Sequence, residues 1–206
     1  MIKQRKIELL APAKNLECGM AAVDHGADAV YIGAPRFGAR AAAGNSLEDI
    51  AALVQYAHLY NVRIYVTVNT ILRDEELKDT EEMIWELYRA GVDALIVQDM
   101  GLLELNLPPI PLHASTQMDN RTPEKAKFLA EAGFRQIVLA RELSLPEIGK
   151  IHEAIPEVPL EVFVHYASVI ADSVMSASRV SGAVPTGGNV HSSAAWRSTW
   201  WMRTER

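Results

Sequence analysis

Residues Gly91 to Gln117, GVDALIVQDMGLLELNLPPIPLHASTQ, hold two short apolar runs that each break off in a cluster of polar side chains. Ala94 to Val97 is unbroken, with β-branched residues prominent, as in a strand buried on both faces, and it stops at Gln98 and Asp99. Leu112 to Gln117 repeats the arrangement as LHASTQ. When strands are covered on both faces, the side chains at their carboxyl ends are the ones left facing a crevice. Asp99, His113, Ser115 and Gln117 are therefore candidates for one site.

The same cycle extends in both directions. Toward the N-terminus, Ile7 to Ala11 reads as a strand stopped by Pro12, and Asn15 caps a helix through Val23 that closes at Gly26. Ala29 to Ile32 is the second strand. The loop after it carries Arg36 and Arg40 and leads to Ser46, which caps a helix through Tyr60. Arg63 to Asn69 is the third strand, and Asp74 to Ala90 sets Leu77, Ile84 and Leu87 on one helical face. Toward the C-terminus, Thr122 and Pro123 start a helix to Ala132, and a strand from Gln136 to Ala140 ends at Arg141 and Glu142. Ser144 caps a helix from Pro146 to Ile155, and Leu160 to Val164 is a seventh strand finishing at His165.

Three strand entries, GADAVYIG, GVDALIVQD and GFRQIVLAR, share a helix-ending glycine followed within three residues by an apolar strand. Seven strands alternating with helical segments imply a parallel sheet with right-handed crossovers. A repeat of about 25 to 30 residues favours an α/β fold of the incomplete (β/α) TIM-barrel type over a flavodoxin-like open sheet. A closed eight-unit barrel takes about 250 residues, so the pattern is short by roughly the last unit or more.

At 206 residues and 49% hydrophobic content the chain can bury a core, and one domain is expected. No apolar run approaches the roughly 18 residues of a membrane span, and MIKQRKIELLAPA lacks the design of a signal peptide. A cytoplasmic location without a membrane partner is the expectation. The net charge of −6 gives no general attraction to nucleic acid. The single cysteine, Cys18, excludes an internal disulfide and cannot by itself hold zinc or an iron–sulfur cluster.

Asn69, Gln98, Gln117 and Arg141 suit a ligand-orienting set, because amides and a guanidinium fix carboxylates and ring edges without titrating; plain strand-end hydrogen bonding is the alternative. His113, Ser115 and Asp99 are the residue types of a hydrolytic triad, set against local backbone bonding by Ser115 and Thr116 and a satisfied, partly buried His113. Glu142 and Glu161 are possible acid and base, although Glu161 inside a strand equally suits an ion pair within the barrel. His165 ends its strand. His113, Glu142 and His165 are the candidate catalytic residues, and Asn69, Asp99, Ser115, Gln117 and Arg141 the candidate substrate-binding residues. No metal site is expected. His25, His58 and His152 fall on helices as surface residues.

The motifs ELLAPAKNLECGMAAVDHGADAVYIG, FGAR, VTVNTIL, GVDALIVQDMG, LHASTQ, IVLAREL and LEVFVH, in this order, resemble the collagenase-like peptidase family, number thirty-two of the unassigned peptidases, from Ile7 to His165. FGAR, GVDALIVQDMG and LHASTQ are most similar to the branch linked to cytidine hydroxylation in large-subunit ribosomal RNA. Other branches are linked to tRNA uridine or ubiquinone hydroxylation, and older members to collagenase-like peptidase activity. The resemblance implies a barrel-like domain, RNA or a small carboxylate as partner of full-length relatives, and a four-cysteine iron–sulfur site just after EVFVH. Asn69, Asp99, His113, Ser115, Gln117, Arg141, Glu142 and His165 match motif positions.

After His165 the pattern departs. Residues 166–206 are rich in Ser, Ala and Gly, contain no cysteine, and crowd Trp196, Trp200 and Trp201 near the end. Taking the third base of each codon with the first two of the next, Tyr166-Ala167, Ser168-Val169, Ser173-Val174, Asn189-Val190 and Ser193-Ala194 each permit cysteine, and Trp200-Trp201 must give valine. The expectation is a partial barrel over 1–165 followed by a frameshifted, poorly ordered tail over 166–206, without a cofactor and inactive alone.

Overall fold

The computed structural model describes residues 7–37 and 45–164, so the expectations for Arg40, His165 and the tail lie outside the described residues. Seven strands form one sheet in sequence order: β1 (Leu10–Ala13), β2 (Ala29–Gly33), β3 (Arg63–Val68), β4 (Ala94–Val97), β5 (Leu112–Ala114), β6 (Gln136–Val138) and β7 (Leu160–Glu161). Every neighbouring pair is parallel, from Leu10 opposite Ala29 to Val138 opposite Glu161. Monotonic order is the stave arrangement of a barrel; a doubly wound sheet would reverse direction at a switch point, which removes the flavodoxin-like alternative. Among the described residues β1 and β7 pair on one side only, leaving the barrel open between them.

The crossovers are α1 (Leu16–Asp24), α2 (Leu47–His58), α3 (Leu77–Arg89), α4 (Pro123–Glu131) and α5 (Leu145–Ala154). Between β4 and β5 the chain makes only a 3₁₀ segment, Met100–Glu104, and Pro108, Pro109 and Pro111 then keep the connection out of helix. The expected caps hold: Asn15 accepts from Cys18 N at 3.0 Å, Ser46 forms a capping box with Asp49, and Thr122 accepts from Lys125 N at 3.2 Å. The helix expected from Asp74 opens as 3₁₀ over Asp74–Glu76 before becoming α-helical at Leu77. Strands β5, β6 and β7 end two to three residues earlier than their apolar runs, because each chain turns into its loop once ladder pairing ends.

The repeated strand entry has a local cause. Gly26, Gly91 and Gly133 adopt φ of 90°, 89° and 105°, which lets each helix close with a six-to-one hydrogen bond. The N–H groups of Ala27, Val92 and Phe134 donate back to the carbonyls of Ala22, Leu87 and Leu129 respectively. The next residue, Asp28, Asp93 or Arg135, then donates its N–H to the preceding strand at Leu9, Ile64 or Leu112. Helix end and sheet register are thus set by one three-residue step.

Outward-facing strand residues such as Val30, Ile32, Val66, Leu95 and Ile137 pack against the helices in the main core. A smaller cluster of Ala29, Tyr65, Ala94, Ile96 and Val138 fills the barrel interior, with Leu10, Tyr31 and Phe163 against it. Between α1 and α2, a Cβ on Gly19 would lie 2.6 Å from Leu53 Cδ2, and Leu53 is fully buried. Gly19→Val is expected to destabilise by about 2 kcal/mol through overpacking. Gly149 in α5 faces open space, so Gly149→Ala should stabilise by roughly 0.5 to 1 kcal/mol; urea midpoints measure both.

Candidate functional site

Parallel strands bring all their carboxyl ends to one rim, so Asn69, Asp99, Ser115, Gln117, Arg141 and Glu142, each just beyond β3, β4, β5 or β6, share it. Asn69 Nδ2 donates to Ser115 Oγ at 3.5 Å, passing over the end of β4, so these two side chains converge on the barrel mouth. Gln98 Nε2 donates to the Gln117 carbonyl at 3.4 Å, and Thr116 Oγ1 donates to the Leu139 carbonyl at 3.1 Å. Between β6 and β7, the Arg141 guanidinium carbon lies 4.5 Å from the centroid of the Phe163 ring. A groove of about 340 Å³ runs along the outer rim, lined by Ile71, Gln98, Asp99, Met118, Lys125 and Phe128.

Below the mouth the interior is apolar with a few buried titratable groups. His113 is 5% exposed, its ring set edge-on to Tyr65 at 4.8 Å between centroids, and its Nδ1 has no partner. Burial, helped by the positive charge of Arg63, pushes the His113 pKa down to about 4, so the ring is neutral at physiological pH. Burial raises Tyr65 to about 12, and its hydroxyl donates to the Glu8 carboxylate, which also pairs with Arg63. Glu161 is raised by burial against the opposing effect of a 2.8 Å hydrogen bond from Gln136 Nε2. That contact is a carboxylate–amide bond, where the sequence equally allowed an ion pair.

The structure separates the triad types. Ser115 Oγ is engaged by Asn69 and by Gln117 N at 3.2 Å, and Asp99 accepts from Leu72 N and Gly101 N, both at 2.8 Å. A relay needs serine on histidine and histidine on carboxylate, whereas Ser115 and Asp99 bond to other groups and His113 Nδ1 has no hydrogen-bond partner. Asp99 is a loop cap that lines the outer groove. Its position at a strand end gave no sign of the Leu72 contact, because that depends on where the loop after β3 comes to lie. Glu142 is exposed and pairs with Arg121 at 3.6 Å, a surface contact that also includes Asp119. Gln117 is exposed, and Arg141 is exposed above Phe163.

Sequence reasoning missed Asn120, Tyr65, Gln136 and Phe163. Asn120 is 1% exposed and donates from Nδ2 to the carbonyls of Ser115 at 2.9 Å and Val138 at 2.8 Å, tying the ends of β5 and β6 together. In the sequence it resembles any turn asparagine before a helix cap. Tyr65, Gln136 and Phe163 could have been found by strand alternation, since period two puts them on the face shared by Ala94, Val138 and Glu161.

An open parallel (β/α) barrel with amides, a serine and a stacked arginine around its carboxyl mouth is the architecture of a TIM-barrel-type domain that carries its site on the strand ends. The chain belongs to peptidase family U32, whose family model matches residues 14–179, running past His165 where the motif pattern departs. It is 57% identical over 172 residues to the 23S rRNA 5-hydroxycytidine C2501 synthase of Escherichia coli, covering 84% of this chain and 26% of that protein. It is 37% identical over 191 residues to a tRNA hydroxylation protein P of Helicobacter pylori, covering 89% of this chain and 45% of that protein. The chain therefore spans a quarter to a half of these curated relatives. Among solved structures, a U32 peptidase superposes with a TM-score of 0.62 at 16% identity, over 79% of this chain and 70% of the other, a likeness of fold.

Proposed function

We propose that this chain is the barrel portion of an RNA hydroxylation protein, that its mouth receives a cytidine of large-subunit ribosomal RNA in the cytoplasm, and that the chain is inactive alone. The observation that carries the reading is the 57% identity to the 23S rRNA synthase across 84% of the chain. Full-length relatives are expected to use a four-cysteine iron–sulfur cluster, and the residues here do not fit that group. Cys18, the single cysteine, lies exposed on α1, and the described residues contain no group of three or more His, Cys, Asp and Glu placed to hold a metal. A four-thiolate cluster needs ligands at defined positions that this chain does not supply. A shifted reading frame in the codons after His165 would account for the missing cysteines, and sequencing the gene across those codons decides it.

The test is expression in a strain lacking the homologous 23S rRNA synthase, with mass spectrometry of the target cytidine. No 5-hydroxycytidine should return, and anaerobic reconstitution should leave iron and sulfide far below a four-iron stoichiometry. Restored modification, or a full cluster, would overturn the inactivity. A peptidase reading is disfavoured because Ser115 bonds to Asn69, Asp99 bonds to Leu72 N and His113 Nδ1 bonds to neither.

A further inference from the structure

We propose that Arg141 and Phe163 form a stacking platform for one unpaired pyrimidine base of single-stranded RNA, with the exposed Gln117, just past the end of the neighbouring strand β5, to read the base edge. This deepens the RNA reading and rests on it. The guanidinium lies 4.5 Å from the Phe163 centroid, whereas the Arg36–Phe37, Arg63–Tyr65 and Arg89–Trp85 pairs stand at 5.7 to 5.8 Å. Like Tyr65, Phe163 belongs to the barrel interior rather than to the helical surface. Phe163 packs against the interior cluster of Tyr65, Ile96 and Val138, which anchors the ring, while Arg141 emerges exposed from the end of β6. A planar guanidinium held on an aromatic face is a ready partner for a second flat ring, and splayed bases are recognised by such stacking together with hydrogen bonds to their edges.

The charge of the chain sets the character of the binding. A net charge of −6 gives no general electrostatic pull on the phosphate backbone, so the proposed affinity comes mainly from the base. Two signatures follow. Binding should vary only weakly with salt, and it should depend on the plane of residue 141 more than on its charge.

The experiment is fluorescence anisotropy of a labelled short oligocytidylate titrated with the 206-residue chain, across a range of potassium chloride concentrations. Arg141→Lys, Arg141→Ala and Phe163→Leu should each weaken binding about tenfold, as expected for losing one stacked base. Phe163→Leu retains an apolar side chain against the interior, and unchanged circular dichroism with a native urea midpoint shows that each variant is folded. Arg141→Lys binding as tightly as the parent would overturn the platform, because a purely ionic contact survives that change. Absence of binding by the parent chain would also overturn it. Either result leaves the hydroxylation reading to be judged by 5-hydroxycytidine in the full-length relative, so the two can fail separately.

Discussion

Lowering the pH from neutrality to about 5 is expected to remove about 2 kcal/mol of folding free energy through His113 alone, and roughly 3 kcal/mol by pH 4. The sign follows from proton uptake. In the unfolded chain the imidazole takes its proton near the ordinary value of 6.5, but in the fold burial and the nearby Arg63 charge delay uptake to about 4. Between those values the unfolded state binds more protons, so stability falls as pH falls. Glu161 acts in the opposite sense: its raised carboxyl pKa lets the folded state gain a proton first, which partly offsets the loss. Glu161→Gln should therefore steepen the acid dependence.

His113→Leu should flatten it. At about pH 7 that variant should stay within roughly 1 kcal/mol of the parent, because it removes a buried Nδ1 that has no partner. Urea midpoints of the parent and both variants between about pH 7 and pH 5 make the comparison. Equal losses in the parent and His113→Leu would show that another group controls the transition.

Replacing Asn120 should loosen the carboxyl rim as well as the fold. Its Nδ2 serves the Ser115 and Val138 carbonyls, and its backbone carbonyl accepts from Ala140 N at 3.1 Å. Asn120→Ala removes both side-chain donations in a position 1% exposed; the Ser115 carbonyl keeps the N–H of Met118, so the expected loss is about 2 kcal/mol. Asn120→Asp should be worse near neutral pH, since it sets a buried carboxylate against two carbonyl oxygens, and should recover as acid protonates it. Denaturation midpoints order the two variants. Because Asn120 fixes the approach to Ser115 on one side and to Arg141 on the other, both should also weaken oligocytidylate binding.

Elements whose causes lie within a few residues were legible from the chain. Asn15, Ser46 and Thr122 cap the helices expected of them, and Gly26, Gly91 and Gly133 take the positive φ that their repeated position implies. From these, alternation of strand and helix leads to parallel order and a shared rim, because right-handed crossovers leave few other topologies. The motifs likewise led to the family, which the match over residues 14–179 establishes.

The roles of rim residues depended on contacts between distant parts of the chain. Asn69 and Ser115 are 46 residues apart, and the Leu72 N–H that occupies Asp99 is 27 residues away, so nothing next to either residue distinguishes a mouth-facing side chain from a loop cap. His113 reads as an ordinary strand histidine until Tyr65 and Arg63 are placed beside it; only then do desolvation and a neighbouring charge decide its protonation. The sequence by itself determined the βα repeat, the helix caps and the rim on which the site lies, since these follow from short-range dihedral and hydrogen-bond preferences. Only the tertiary structure decided that Asp99 also holds the Leu72 N–H, that Asn120 binds two strand ends and that Arg141 stacks on Phe163, because burial and electrostatics are set by every strand at once.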